Sequence, residues 1–197
     1  MVFLSRVLFI PLKAKPLPMK TALTYFGSLL FFVLVLSSCN KDEEVPDRLI
    51  IDGTSFKLTK GYIAGYGIEA DDNGDQGSLY DILLASDGVT VDGSDLGGEG
   101  QILVMTIFSG STIELKPGTY NYSDGFIEST LYDAFAADAD FDSGTGTGYY
   151  TVDGSVTISR SGNTWTIKFD LKMEDDAGSD VVVKGSFSGQ LIEVEFS

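Results

Sequence analysis

The side chains best suited to chemistry in this chain are carboxylates. Asp71, Asn73 and Asp75 stand at the 1, 3, 5 spacing with which a calcium loop turns successive oxygen ligands toward one ion. The run lacks the glycine and glutamate that an EF-hand places at its sixth and twelfth positions; Gln76 and Ile82 stand there instead. The other reading is a solvated hairpin loop, for which Asp, Asn and Gly are the usual turn formers. Asp138, Asp140 and Asp142 alternate with Ala137, Ala139 and Phe141, so on a strand three carboxylates line one face and could hold a cation. Against that stands a structural role, because charges along an exposed edge strand discourage pairing with a neighbouring molecule. The acidic loop Glu174-Asp175-Asp176 with Asp180 has the same standing. Calcium is the one cofactor these patterns suggest; otherwise none is expected.

Other chemistries are excluded by composition. The 197 residues include no histidine and one cysteine, so there is no Ser-His-Asp or Cys-His pair, no imidazole zinc site and no disulfide within the chain. A glycosidase needs two carboxylates roughly 5–10 Å apart, one with a raised pKa. With 29 acidic residues such a pair is numerically easy to find and therefore selects nothing. The expectation is a protein without catalytic residues, with a carboxylate-dependent hydrolase as the enzymatic alternative. For binding, the aromatic residues matter more. Tyr149 and Tyr150 are adjacent, so on a strand they point to opposite faces and one of them can present a ring to a sugar. Tyr62 and Tyr66 are further candidates for such a face, whereas Trp165 alternates in step with Ile167 and Phe169 and belongs to a core.

The net charge of −16 argues against nucleic acid, since phosphate affinity comes from lysine and arginine displacing counterions. Only Arg6, Lys13, Lys15 and Lys20 are ionised before residue 39, so the remainder of the chain carries 9 basic against 29 acidic side chains, a net of −20. Such a surface repels anionic membranes and polymers and leaves cations, neutral sugars and basic partners open.

From Ala22 to Leu36 the chain reads ALTYFGSLLFFVLVL, fifteen residues without charge between Lys20 and the small residues Ser37 and Ser38. A basic start, a short apolar stretch and a small-residue exit make a secretion signal, and the run is short for a membrane span of about 20 residues. Leu36-Ser37-Ser38-Cys39 resembles the lipobox of bacterial lipoproteins. That resemblance implies cleavage before Cys39 and acylation of the cysteine, and stable anchoring by several chains rather than one. Asn40-Lys41-Asp42-Glu43-Glu44 resembles the lysine-plus-acidic signal by which Bacteroidetes lipoproteins reach the outer face of the outer membrane; as plain chemistry it is also a solvated tether ending near Pro46. Met19-Lys20 followed by the apolar run is a complete signal by itself, so Met19 is the expected start.

The expected organisation is a signal helix and peptide over 1–38, a lipidated cysteine and tether over 39–47, and one β domain over 48–197. Period-two alternation recurs between Gly, Asp, Asn and Ser clusters. Trp165, Ile167, Phe169, Leu171 and Met173 share one face, and Ser161-Gly162-Asn163 closes a hairpin to a strand carrying Val156 and Ile158. Residues 148–196 read as a meander of three or four antiparallel strands. Upstream, Ile50–Leu58 reads as two short strands about Asp52-Gly53, with further strands at Gly61–Ile68, Tyr80–Ala85, Thr119–Tyr122 and Thr130–Phe141. Ile102–Phe108 is apolar on both faces, as a strand covered on each side should be. About ten short strands predict an all-β, antiparallel β-sandwich, with a lipocalin-like up-and-down barrel as the alternative. The segments IDGTSFKL, LKPGTYNY, DGSVTISRSGNTWTIKFDL and KGSFSGQL, within residues 50–192, resemble small β-sandwich lipoproteins of Bacteroidetes. That resemblance implies no general activity and transfers no site residue. Together these readings predict a lipoprotein of the outer membrane facing outward, held there by its lipid, and acting as a non-enzymatic binding or structural module. A glycan-binding accessory of a polysaccharide uptake system is the alternative, and the partner is an unidentified glycan or protein.

Overall fold

The structure, a computed structural model, describes residues 47–93 and 95–195. The signal segment, Met19, Cys39 and the tether as far as Pro46 lie outside the described residues. Within them the secondary structure is strand throughout: β1 Arg48–Ile51, β2 Thr54–Lys57, β3 Lys60–Ala70, β4 Gln76–Ala85, β5 Val89–Asp92, β6 Asp95–Ser109, β7 Gly118–Tyr122, β8 Thr130–Asp140, β9 Thr145–Ser161, β10 Thr164–Asp175, β11 Asp180–Gly189 and β12 Ile192–Glu193.

The domain is all-β, of the broad sandwich or barrel kind the sequence predicts, but the expected all-antiparallel pairing is corrected: the sheet is mixed, with β7 lying between β8 and β9 and parallel to β8, and β12 parallel to β3. Reading through β3, β4, β6, β8, β9, β10 and β11, each strand pairs antiparallel with the next, and β11 pairs with β1. Two local devices make this possible. Asp52 and Gly53 both adopt positive φ, 46° and 81°, the two-residue turn whose twist suits a hairpin, so β1 and β2 pair as expected. Then β2 and β3 run on in the same sense with only Leu58 and Thr59 between them. The Leu58 N–H donates to the Asp47 carbonyl (3.2 Å) and the Thr59 N–H to the Ala85 carbonyl (2.9 Å). The first half of this shared strand therefore belongs to β1 and the second to β4, and the sheet curls back on itself through it.

The curl is filled by the alternating residues. Met105, Ile107, Ile167 and Met173 are fully buried in one cluster with Leu49, Leu84 and Val183. Leu103 faces into this cluster while Ile102 faces out, into a second cluster with Leu83, Ala85, Val89 and Ala137. The two-sided apolar character of Ile102–Phe108 is explained by this second layer, in which the β5–β6 hairpin lies over the outside of the sheet. Lys60 holds the hairpin down, its Nζ donating to the carbonyls of Asp87 (2.9 Å) and Val89 (2.7 Å).

The meander over the carboxyl-terminal third is β9, β10 and β11; the turn expected at Ser161-Gly162-Asn163 joins the first two, with Gly162 and Asn163 between the strands, and the acidic loop after Asp175 joins the last two. The chain then departs from it. After β11 it crosses to the opposite end of the sheet, where β12 pairs parallel with β3, Ile192 beside Tyr62 and Glu193 beside Ile63. The crossing is tight: a Cβ on Gly61 would stand 2.6 Å from Leu191 Cδ2 and 2.8 Å from Phe187 Cε1. Beyond Ile63, β3 keeps β4 on one side and has no ladder on the other among the described residues, and here the curl stands open.

Candidate functional site

The predicted carboxylates are engaged with backbone amides. Asp71 is buried, and its Oδ1 accepts from the N–H groups of Asn73 and Asp75, both at 2.8 Å, while its Oδ2 accepts from Glu128 N–H at 3.1 Å. Burial alone would raise its pKa, but the amides of Asp75, Glu128 and Asn73 outweigh it and hold the carboxyl below its ordinary value. The neighbouring Asp72 accepts from Phe126 N–H (2.9 Å), so the β3–β4 turn clamps the loop before β8. Asn73 and Asp75 themselves are exposed.

Asp138, Asp140 and Asp142 each serve a different partner. Asp138 accepts from Gln101 Nε2 (2.8 Å), Asp140 from the N–H groups of Asp142 (3.0 Å) and Ser143 (3.1 Å), and Asp142 from Gly98 N–H (2.9 Å). The hydrogen bonds from Ser143, side chain and backbone, hold Asp140 below the ordinary carboxylate value. The edge-strand account of this row is corrected by the topology: β8 is paired on both sides, Asp138 lying opposite Gln101 on β6 and Thr147 on β9. Sequence alternation reveals a strand's faces but not its neighbours, and Asp142 lies in the β8–β9 turn rather than on the strand. Asp175 caps its loop by accepting from Ala177 and Ser179 N–H groups (2.9 and 2.8 Å), and Lys172 pairs with Asp180 at 3.0 Å. Among the described residues no group of three or more acidic or cysteine side chains is placed to hold a metal ion.

Tyr149 and Tyr150 do point to opposite faces. Tyr149 packs on the main core, where burial, then Asp138 and Asp175, push its hydroxyl pKa up. Tyr150 is 51% exposed and lies against Phe135, ring centroids 5.2 Å apart. Tyr62 is buried, while Tyr66 is exposed and donates to Asp81 Oδ2 at 2.7 Å; burial and that carboxylate raise its pKa to about 12. These tyrosines do not converge on one hollow.

A different set of residues does converge, at the open stretch of the curl. The two-residue turn after β9 places Arg160 directly opposite Trp165. The guanidinium carbon sits 4.6 Å from the ring centroid, and Arg160 Nε donates to the Gly162 carbonyl at 3.0 Å, which fixes the arm over the ring. Trp165 is the floor of a cleft of about 390 Å³, together with Ile63 of β3, Leu115 and Leu191. Its rim is mostly polar: Asn163 from the hairpin, Gln190 from the crossing segment, Glu193 from β12 and Glu114 from the loop between β6 and β7, with the exposed Ile113 of that loop beside them. That loop is folded by Ser109, whose hydroxyl accepts from Lys116 N–H (3.2 Å) and donates to the Glu114 carbonyl (3.3 Å). Tyr80 of β4 stands at the side, and burial raises its pKa, a hydrogen bond with Ser78 opposing and the Glu114 charge adding. On its far side lies an adjoining hollow of about 520 Å³ that shares Ile63, Tyr80 and Glu193 and adds Gly65, Val194 and Glu195.

An apolar floor with a few fixed polar groups, at several hundred Å³, is the composition of a small-molecule site, and the mouth of a curled sheet is a usual place for one. Of these residues the sequence marks Trp165 as core, which its 8% exposure bears out, and Asn163 only as part of a turn. The readable signal for its partner is local: positions counted back from a two-residue turn pair off, 161 with 164 and then 160 with 165. Tyr80, Glu114 and the neighbouring pair Gln190 and Glu193 come from three separate segments, and no spacing links those segments.

No family model matches the chain, and neither a curated protein nor a solved structure does.

Proposed function

We propose that this protein is a lipid-anchored, non-enzymatic binding module of the outer membrane, displayed outward, with the cleft over Trp165 as its binding site. The anchor rests on the Leu36-Ser37-Ser38-Cys39 run behind an apolar signal, and outward display on the acidic segment after Cys39. Binding rests on one observation: at the open stretch of the curl an aromatic and aliphatic floor meets a rim of planar polar side chains.

The anchor is tested by expressing Cys39→Ala and separating cells into detergent and aqueous phases. The parent chain is expected in the detergent phase and the variant in the aqueous phase. A variant that partitions like the parent removes the lipid from Cys39. Protease treatment of intact cells tests display, which predicts loss of the domain without lysis.

A further inference from the structure

Resting on the reading of the cleft as a binding site, we infer that its ligand is an uncharged, polyhydroxylated chain of rings, a neutral oligosaccharide long enough to lie across both hollows. Each class of ligand meets a different obstacle. An acyl chain needs depth, and beneath the floor Met105, Ile107 and Ile167 are fully buried and fill the interior. An anion must approach Glu114, Glu193 and Glu195, in a region of the chain carrying a net of −20. A metal cation finds no group of three acidic side chains placed to hold it among the described residues, and an organic cation drawn by the glutamates meets the Arg160 guanidinium, held on Trp165 by the arm's own hydrogen bond to Gly162.

A neutral polyol meets none of these and uses all of them. The Asn163 and Gln190 amides both donate and accept, the Glu114 and Glu193 carboxylates accept from hydroxyl pairs, and the guanidinium donates from a rigid fork. The C–H faces of a sugar ring suit Tyr80, Ile63 and Leu191. Length comes from the two hollows sharing Ile63, Tyr80 and Glu193, so that a ligand filling one at this ridge reaches the other.

Trp165 is the chain's single tryptophan, so its emission reports the cleft alone. The full chain in detergent is titrated with malto-, cello-, xylo- and manno-oligosaccharides, from single sugars to hexasaccharides. The expected result is a saturable emission change for at least one series, with the single sugar roughly tenfold or more weaker than the hexasaccharide. Asn163→Ala and Gln190→Ala, both at exposed positions, are each expected to weaken binding by about two- to tenfold without moving the melting temperature. Oligogalacturonate and oligolysine serve as charged probes. If only a charged probe changes the emission, the ligand class is overturned and the cleft remains a binding site. If a single sugar binds as well as its hexasaccharide, the proposal that both hollows are spanned is overturned. If no probe changes the emission, the ligand class and the cleft reading fall together.

Discussion

Replacing Arg160 with alanine separates the cleft's architecture from its neighbourhood. The guanidinium lies 4.6 Å from the Trp165 ring centroid and donates one hydrogen bond, Nε to the Gly162 carbonyl at 3.0 Å. At an exposed site the cation–π contact is worth about 0.5–1 kcal/mol, and a solvent-accessible hydrogen bond adds about 0.5 kcal/mol. Arg160→Ala should therefore cost roughly 1–1.5 kcal/mol and lower the melting temperature by about 2–6 °C. Guanidinium chloride unfolding followed through Trp165 measures the loss, and the native emission maximum should move to the red as the ring meets water. Arg160→Lys keeps the charge but loses the planar stack and the Nε donor, and should fall between the two. An unchanged emission maximum with unchanged stability would refute the stacked arrangement. A loss above about 3 kcal/mol exceeds anything these two contacts can supply and would mean that Arg160 anchors more than the hairpin.

The core and the clamp lead to two further outcomes. Asp71 has its native pKa held below the ordinary value, so its contribution to stability is complete above the unfolded-state pKa of about 3.9 and is lost as pH falls through the native value. Asp71→Asn should lower the melting temperature at neutral pH and flatten its decline on acidification; melts across the acid range with parallel slopes for parent and variant would rule this out. Ile102→Ala and Leu103→Ala, on opposite faces of β6, should each cost about 2–5 kcal/mol in denaturant unfolding. A cost below about 1 kcal/mol for Ile102→Ala alone would show that the β5–β6 hairpin does not seal the outer cluster.

How much of this was legible depends on the range of the signal. Trp165 through Met173 announced their buried face because alternate residues of a strand point the same way. Asp52-Gly53 and Ser161-Gly162-Asn163 announced turns because few residues tolerate the positive φ that Asp52, Gly53 and Gly162 adopt. The β5–β6 hairpin was missed for the same reason run backwards: between Asp87 and Gly100 the chain is rich in Gly and Asp, and Val89, Val91 and Leu96 are too sparse to show a period. Even so, Ile102 and Val104 betrayed that something must cover β6 from outside. The Asp138 row was read as an edge because its alternation is that of a half-exposed strand, and nothing local distinguishes a strand with one neighbour from a strand with two.

Residue order by itself therefore determined the all-strand class, most strand positions, the inward faces and the turns, since each depends on torsions and side-chain alternation within a few residues. Tertiary structure alone decided that one strand, residues 54–70, is shared between two partners, that β12 lands on β3, and that Arg160, Trp165, Tyr80, Gln190 and Glu193 border one opening. Those outcomes turn on which distant segments exclude water together, and that is a property of the closed curl rather than of any stretch of chain.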